Sequence, residues 1–544
     1  MFNKLIIKIL VIPVLLAVIF TSCRDDAWNE HYASQQTASN ETLMQTIEKD
    51  PELSEFARIL KETGYDDVLA SSQSYTVWAP TNAALASGID ADTVTRFLQN
   101  HIARFNYSTA DVANLQSIRV RMLNGKANPF ARTAGGFTFG SANIIKKDIV
   151  TQNGVLHTID SQVHFFKNVW ENVSSTGNTD SIARYLSSYD IYLFDAARST
   201  EIGTSPKGIV YDSVFIYSNA WLTKYGRLQL EDSVYTMILP DNNAWTNAYG
   251  KIKSYYKTYD KLLGETATTK TFQLTGISAD SIQRAHTCQA LVMDLVFRGK
   301  LDVIPGDSLV STNGNVFHQP ASLFTGAVKE ESSNGLIYKS SNLTYKAADS
   351  WQKEIVVEAE KTTGREFANA SLYTRVATNE ALLFQISEKK YIELSPSSTN
   401  PNFQPEVVLE IPNTLAAAYN IYCVVVPAYE RDTLALKDST KVSFQLTYVD
   451  AGGVMKTNTA ITRDPSTNLL YETSPKRLKK ILIAQNFKFP FANFTGSPFM
   501  PLGSTKQNTV KIKVKTNVTN TEFTSGKYTR NLRVDCFILE PVNE

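Results

Sequence analysis

Four cysteines, Cys23, Cys288, Cys423 and Cys536, and six histidines are the residues of this chain best suited to nucleophilic, redox or metal chemistry. Their spacing argues against most of it. No two cysteines form a CxxC pair and no two histidines stand at HExxH spacing, so no thiolate zinc site or metallopeptidase helix is written in the sequence. A GxSxG elbow, a Walker loop, a GxGxxG turn and an EF-hand loop are missing as well. Asp and Glu number 53 against 54 Lys and Arg, and two carboxylates far apart in sequence can still meet for glycoside cleavage. The balanced charge, net +1, supplies no field to steer nucleic acid. The expectation is a protein that is not an enzyme and has no nucleic-acid partner.

Cys23 has a setting of its own. Lys4 and Lys8 precede an apolar run over residues 9–20, too short to span a bilayer comfortably, which ends in "FTSC". This resembles a lipoprotein signal, in which the cysteine is acylated and becomes the mature N-terminus. Asp25 and Asp26 follow at once and resemble the export signal of Bacteroidetes-type lipoproteins. The resemblance implies an outer-membrane protein facing the cell exterior. It is held by acyl chains that contribute about 0.8 kcal/mol per buried methylene. Three thiols then remain. Cys423 in "IYCVVV" and Cys536 in "VDCFIL" lie in apolar strand-like runs, where buried free thiols are expected and a disulfide is the alternative.

The elements that must position any site show a repeat. "YTVWAPTNAAL" over residues 75–85 returns as "YTMILPDNNAW" over 235–245. Before the first copy, Leu53, Phe56, Ala57 and Leu60 share a helix face, with Asp50 as cap, Pro51 in the first turn and Gly64 as stop. Before the second, Asp180 is the expected cap, and Ile182, Tyr185, Leu186 and Tyr189 form the face. Each cassette reads as a strand stopped by proline, Pro80 or Pro240, and a helix capped by Thr81 or Asn82 in one copy and Asp241 in the other. Thr81 and Asp241 share no catalytic chemistry, but both can bond orphan helix amides. The cassette is therefore scaffold. "NGVLHTID" from Asn153 and "NGLIYKSS" from Asn334 close the two copies, each read as an Asn-Gly turn delivering an alternating strand.

Together with "FLQNHI" around His101, these boxes resemble the fasciclin domain. The first copy covers residues 41–166. The second, over 170–346, has a divergent first box, no histidine in its last box and a longer interval, with "RAHTCQALVMDLVF" in the central position. The resemblance implies wedge-shaped α+β units used in adhesion and protein contact. His101 and His157 match family positions, and a buried, hydrogen-bonded imidazole is the role expected of each.

From about Trp351 the texture changes to short strands and polar turns, from "EIVVEAEKTTG" to "NLRVDCFILEP", which predicts a β-sandwich. Its first and last strands resemble those of galactose-binding-type jelly rolls, including family-6-like carbohydrate-binding modules, with an insertion over 450–493. That resemblance implies a structural calcium ion held by Glu358, Glu360 and Asp535; the alternative is three ordinary outward-facing strand residues. Trp351, Tyr373 and Tyr391 could offer ring faces to a sugar or simply fill the core.

The chain's 544 residues exceed one core. The expected order is a signal peptide over 1–22, a tether over 23–40, fasciclin-like domains over 41–166 and 170–346, and a carbohydrate-binding-module-like sandwich over 347–544. The fold class is thus multidomain, two α+β fasciclin-like domains followed by an all-β sandwich of jelly-roll type. Such proteins resemble accessory lipoproteins beside a TonB-dependent transporter of the starch-utilisation type and its lidding lipoprotein, capturing glycan or peptide. The alternative is an adhesin or structural lipoprotein that binds no sugar.

Overall fold

The computed structural model describes residues 39–542, apart from 90–92, 206–207, 260, 263–271, 274–278, 435–437 and 495–508. Cys23, Asp25, Asp26 and the expected signal peptide over 1–22 lie outside the described residues. The chain forms two compact units: the first runs up to residue 172 and adds Leu228–Val234 and Glu331–Gly335, and the second takes the rest.

In the first unit, Tyr75–Pro80 and Gly154–Ile159 run parallel as the second and third strands of a seven-stranded sheet, with Trp78 opposite His157. Both strands are buried at every position, so the alternation expected of the second is absent. The reason is that both faces are covered, which favours continuous apolar runs. Val77 and Leu156 meet Leu43, Ile47, Phe56 and Leu60 of the helices on one side. On the other, Trp78 and Ile159 meet Phe130 and Phe139.

Local chemistry places these elements. The Asp50 side chain accepts from Glu52 N–H at 3.0 Å and caps a short 3₁₀ turn, Pro51–Leu53, before the α-helix Ser54–Thr63 begins. Gly64, at φ 74°, ends that helix in the left-handed region. The "NG" of the last box is the turn expected, Gln152 and Asn153 joining Ala142–Thr151 to Gly154–Ile159 as an antiparallel hairpin, and the asparagine does more besides. Asn153 anchors three segments: its Oδ1 accepts from Leu43 N–H at 2.8 Å, and its Nδ2 donates to Leu69 O and Ser71 O at 2.7 Å each. Gly154 is demanded by close approach, since a Cβ there would lie 2.0 Å from Tyr75 O.

The second cassette reproduces these bonds. Its strand Tyr235–Pro240 lies between Val296–Arg298 and Gly335–Ser340, as Tyr75–Pro80 lies between Ile102–Arg104 and Gly154–Ile159. Thr81 accepts from Ala84 N–H at 3.2 Å and Asp241 from Ala244 N–H at 2.8 Å. Asn334 accepts from Val169 N–H and donates to Leu228 O and Leu230 O, all at 2.8 Å, as Asn153 does in the first copy. Asp180 differs from expectation: Thr179 occupies the cap position without a side-chain cap bond, and Asp180 sits in the first turn. Loss of one cap bond should make Thr81→Ala less stable by about 1 kcal/mol. A lower denaturant midpoint with unchanged ligand affinity is the expected measurement.

The C-terminal strands form the expected sandwich. Its larger sheet orders Ala370–Val376, Lys390–Pro396, Leu532–Pro541, Ala418–Val425 and Lys479–Lys488, with Ile355–Glu358 also on Leu532–Pro541. The smaller sheet has five strands, whose inward residues include Val407, Leu409, Phe444, Leu446, Ile512 and Val514. Residues 450–493 are more than an insertion, because Lys479–Lys488 within them is the edge strand bonded to Ala418–Val425. Among the described residues no helix is long and apolar enough to cross a membrane.

Candidate functional site

Antiparallel pairing of Ile355–Glu358 with the last strand sets Glu358 opposite Cys536. Ligand-capable atoms of Glu358, Asp535 and Cys536 lie within 4.8 Å of one another, and all three residues are buried. Ser387 ties the carboxylates together: its hydroxyl donates to Glu358 Oε1 at 2.6 Å and its amide to Asp535 Oδ2 at 3.2 Å. Glu358 Oε2, Asp535 Oδ1 and both oxygens of Glu360 are shielded from solvent and have no hydrogen-bond partner. Burial, reinforced by the charges of Glu358 and Glu360, pushes the Asp535 carboxyl up to about 7 against the pull of the Ser387 amide. Burial and the neighbouring charges of Glu358 and Glu388 raise Glu360 as well.

Orphaned carboxylate oxygens at this depth are costly unless a cation joins them. Hard oxygen donors suit calcium, which takes about six to eight oxygens. Glu358 and Asp535 are the residues the geometry offers to such an ion, and Glu360, expected as a third ligand, lies outside that 4.8 Å group. The tightest group contains Cys536 where the sequence pointed to Glu360, which adjoins it through charge. Burial raises the Cys536 thiol far above its usual range, so it stays protonated and packs as an apolar group. Ser387 had no local signal in the sequence, since the residues it joins lie 29 and 148 positions away.

The three candidate rings part company. Tyr391 is fully buried, with its hydroxyl on Glu430, and belongs to the core. Tyr373 is 46% exposed, with the Arg375 guanidinium 4.6 Å from its ring centre. Trp351 is buried and lines a cleft of about 530 Å³ together with Tyr256, His286, Asn413, Tyr419 and Phe494. Tyr256 and His286 stack there, centroids 5.8 Å apart and planes 11° from parallel. Trp351 Nε1 is buried without a hydrogen-bond partner. Rings and amides around a concavity are what a small polar ligand with flat apolar faces requires.

The fasciclin-box histidines take the expected structural role. His101 Nδ1 donates to Phe97 O at 2.8 Å and its Nε2 accepts from Val163 N–H at 3.2 Å, a neutral tautomer that burial holds down to about 4. His157 Nε2 donates to Tyr107 O at 3.0 Å while Nδ1 accepts from Asp148 N–H at 3.3 Å, and burial lowers it too. Cys288, Cys423 and Cys536 are all buried free thiols.

The fasciclin domain profile matches residues 51–163. A Synechocystis protein, the uncharacterized sll1735, is 30% identical over 108 residues, which cover 18% of this chain and 77% of that protein. Among solved structures, the FAS1 domain pair of the insect cell adhesion molecule fasciclin I is 13% identical at a TM-score of 0.21, covering 55% of this chain and 98% of that one. The C-terminal family 22 carbohydrate-binding module of Clostridium thermocellum Xyn10B is 12% identical at a TM-score of 0.20, covering 34% of this chain and 91% of that one. Through its first cassette, with both boxes and both buried histidines in place, the chain belongs to the fasciclin domain family.

Proposed function

We propose that this chain is a non-catalytic capture protein, held on the outer face of the outer membrane by acyl chains on Cys23. It would present glycan to a TonB-dependent transporter and its lidding lipoprotein, with calcium at Glu358 and Asp535 stiffening the sandwich. The observation that carries the reading is the cleft lined by the rings of Trp351, Tyr256, Tyr419 and Phe494 and by asparagine amides. A sugar's apolar ring face would cover these rings while its hydroxyls meet the amides of Asn313, Asn315 and Asn413 on the lining.

A second reading, contact with another protein, rests on a different feature. The two-stranded ribbon of Asp190–Phe194 and Phe215–Asn219 leaves Tyr192 65%, Leu193 56% and Phe215 55% exposed. Apolar side chains exposed together are characteristic of interaction surfaces.

One experiment separates the two. Cys23→Ser should move the full-length protein from the membrane to the soluble fraction, where it can be screened on a glycan array. Trp351→Phe should then weaken the glycan found at least tenfold at temperatures where both forms are folded. Silence across the array, with a transporter co-purifying with the wild type, would leave only the contact reading.

A further inference from the structure

A second cleft, of about 600 Å³, opens on the divergent fasciclin-like copy, remote in sequence from the sandwich. Three helices each turn one face to it. Asp180–Ser187 supplies Arg184 and Tyr185, Asn242–Lys253 supplies Trp245 and Tyr249, and Ala279–Val292 supplies Arg284 and Cys288. Ser181, Arg184, Tyr185 and Ser188 along the first stand three and four apart, and the pairs on the other two stand four apart, the spacings that bring side chains to a common helix face. Tyr185 and Trp245 form the floor, centroids 5.7 Å apart at 50°, and the Tyr185 hydroxyl is tied to that of Tyr189 at 2.8 Å.

The lining carries two guanidinium groups and no carboxylate. Among the described residues neither Arg184 nor Arg284 is in an ion pair, and the Nε of Arg184 donates to Asp180 O at 3.3 Å, leaving its terminal amino groups for other use. Cys288 does not neutralise Arg284, since burial pushes its thiol up to about 11 despite that arginine beside it.

The first copy carries the same face with its charges paired. Asn82 accepts from Glu55 N–H and Asn242 from Ser181 N–H, each at 2.9 Å, which makes Glu55 and Ser181 equivalent. Arg58 then answers to Arg184, Ile59 to Tyr185, Glu62 to Ser188 and Leu85 to Trp245. In the first copy Arg58 is held by Glu55 at 2.5 Å and by Glu62. In the second, both glutamates are serines and two aliphatic residues are aromatic. The changes together convert a self-neutralised helix surface into a cationic, ring-floored cleft.

We propose that this cleft binds a carboxylate-bearing sugar, a uronic-acid unit of an acidic glycan. Arg184 and Arg284 would receive the carboxylate, for which the guanidinium fork is matched. Trp245 and Tyr185 would receive the apolar ring face, and Ser181 and Thr246 stand on the rim for hydroxyls. This goes beyond the capture proposed for the Trp351 cleft, because it assigns a separate site and a charge class.

The test uses the soluble full-length chain in calcium-free buffer and titrates oligogalacturonate against the same oligosaccharide fully methyl-esterified. The acid form should bind, weaken as salt rises, and lose at least tenfold in affinity in Arg184→Gln/Arg284→Gln at unchanged melting temperature. The ester should bind at least tenfold more weakly than the acid. Trp351→Phe should leave this binding unchanged, so failure of the other cleft would not be mistaken for failure here. Equal binding of acid and ester, no effect of the double substitution, or no binding at millimolar acid would overturn the proposal. Equal affinity for oligoglutamate would overturn the assignment to sugar.

Discussion

Calcium added to the chelated protein should raise the melting temperature of the sandwich-bearing unit by roughly 5–10 °C. An ion present at one hundred times its dissociation constant stabilises the folded state by about 2.7 kcal/mol. A domain of this size shifts by roughly 2–4 °C for each kcal/mol. The cause is specific: four carboxylate oxygens of Glu358, Glu360 and Asp535 are buried and unpartnered. Asp535→Asn should abolish the response and should melt above the wild type when calcium is absent at pH 8. The sign follows from the folded-state value of about 7, above the ordinary 3.8. A carboxyl with a raised value costs stability as pH climbs from about 4 to about 7, and the neutral amide removes that cost. Because calcium replaces a proton there, its effect should be larger at pH 8 than at pH 6. Calorimetry with and without calcium checks both; an Asp535→Asn variant that still responds would remove the carboxylates from the site.

Acid should act on the first unit in the opposite sense. His101 is neutral in the fold, held down to about 4 from an ordinary 6.5 by burial. Its lowered value means that the unfolded chain binds the extra proton first. The stability it represents is complete above pH 6.5 and is lost as pH falls through that value toward 4. Over that interval the loss comes to about 3 kcal/mol, from 1.36 kcal/mol per pH unit. His157 is lowered in the same direction and adds to the loss. Asp50 and Asp160 are also lowered, but from 3.8, so they matter below this window. Denaturant unfolding followed by tryptophan fluorescence is a suitable reading, because Trp78 is buried and stacks on His157 at 5.6 Å. His101→Gln should flatten the slope between pH 6.5 and 4. An unchanged slope in that variant would refute the assignment.

Much of the scaffold was legible because its chemistry is local. A cap bonds an amide three residues on, as Thr81 and Asp241 do, and a helix stop needs one left-handed residue, as Gly64 does; contiguous letters carry both. The duplicated boxes could therefore be recognised, and their shared cap bonds predicted, before any strand was placed. Asp180 was misread for the same reason, since Thr179 beside it has equal local claim to the cap.

Long-range partners were another matter. Period-2 alternation says which side of a strand a residue faces but not what lies opposite, and strands buried on both sides, such as Gly154–Ile159, lose even that signal. Asn153 is the turn residue that the sequence shows, but its bonds to segments 82 to 110 positions away have no local signal. The carboxylates Glu358 and Asp535 become a group only when the first and last sandwich strands pair, and that pairing also brings Cys536 and Ser387. Trp351 and Tyr391 looked alike as letters; packing made one the wall of a cleft and the other core. Arg184 and Arg284 share no motif and stand a hundred positions apart. Whether an arginine is neutralised depends on which side chains reach it in space, and the folded chain alone supplies that distance.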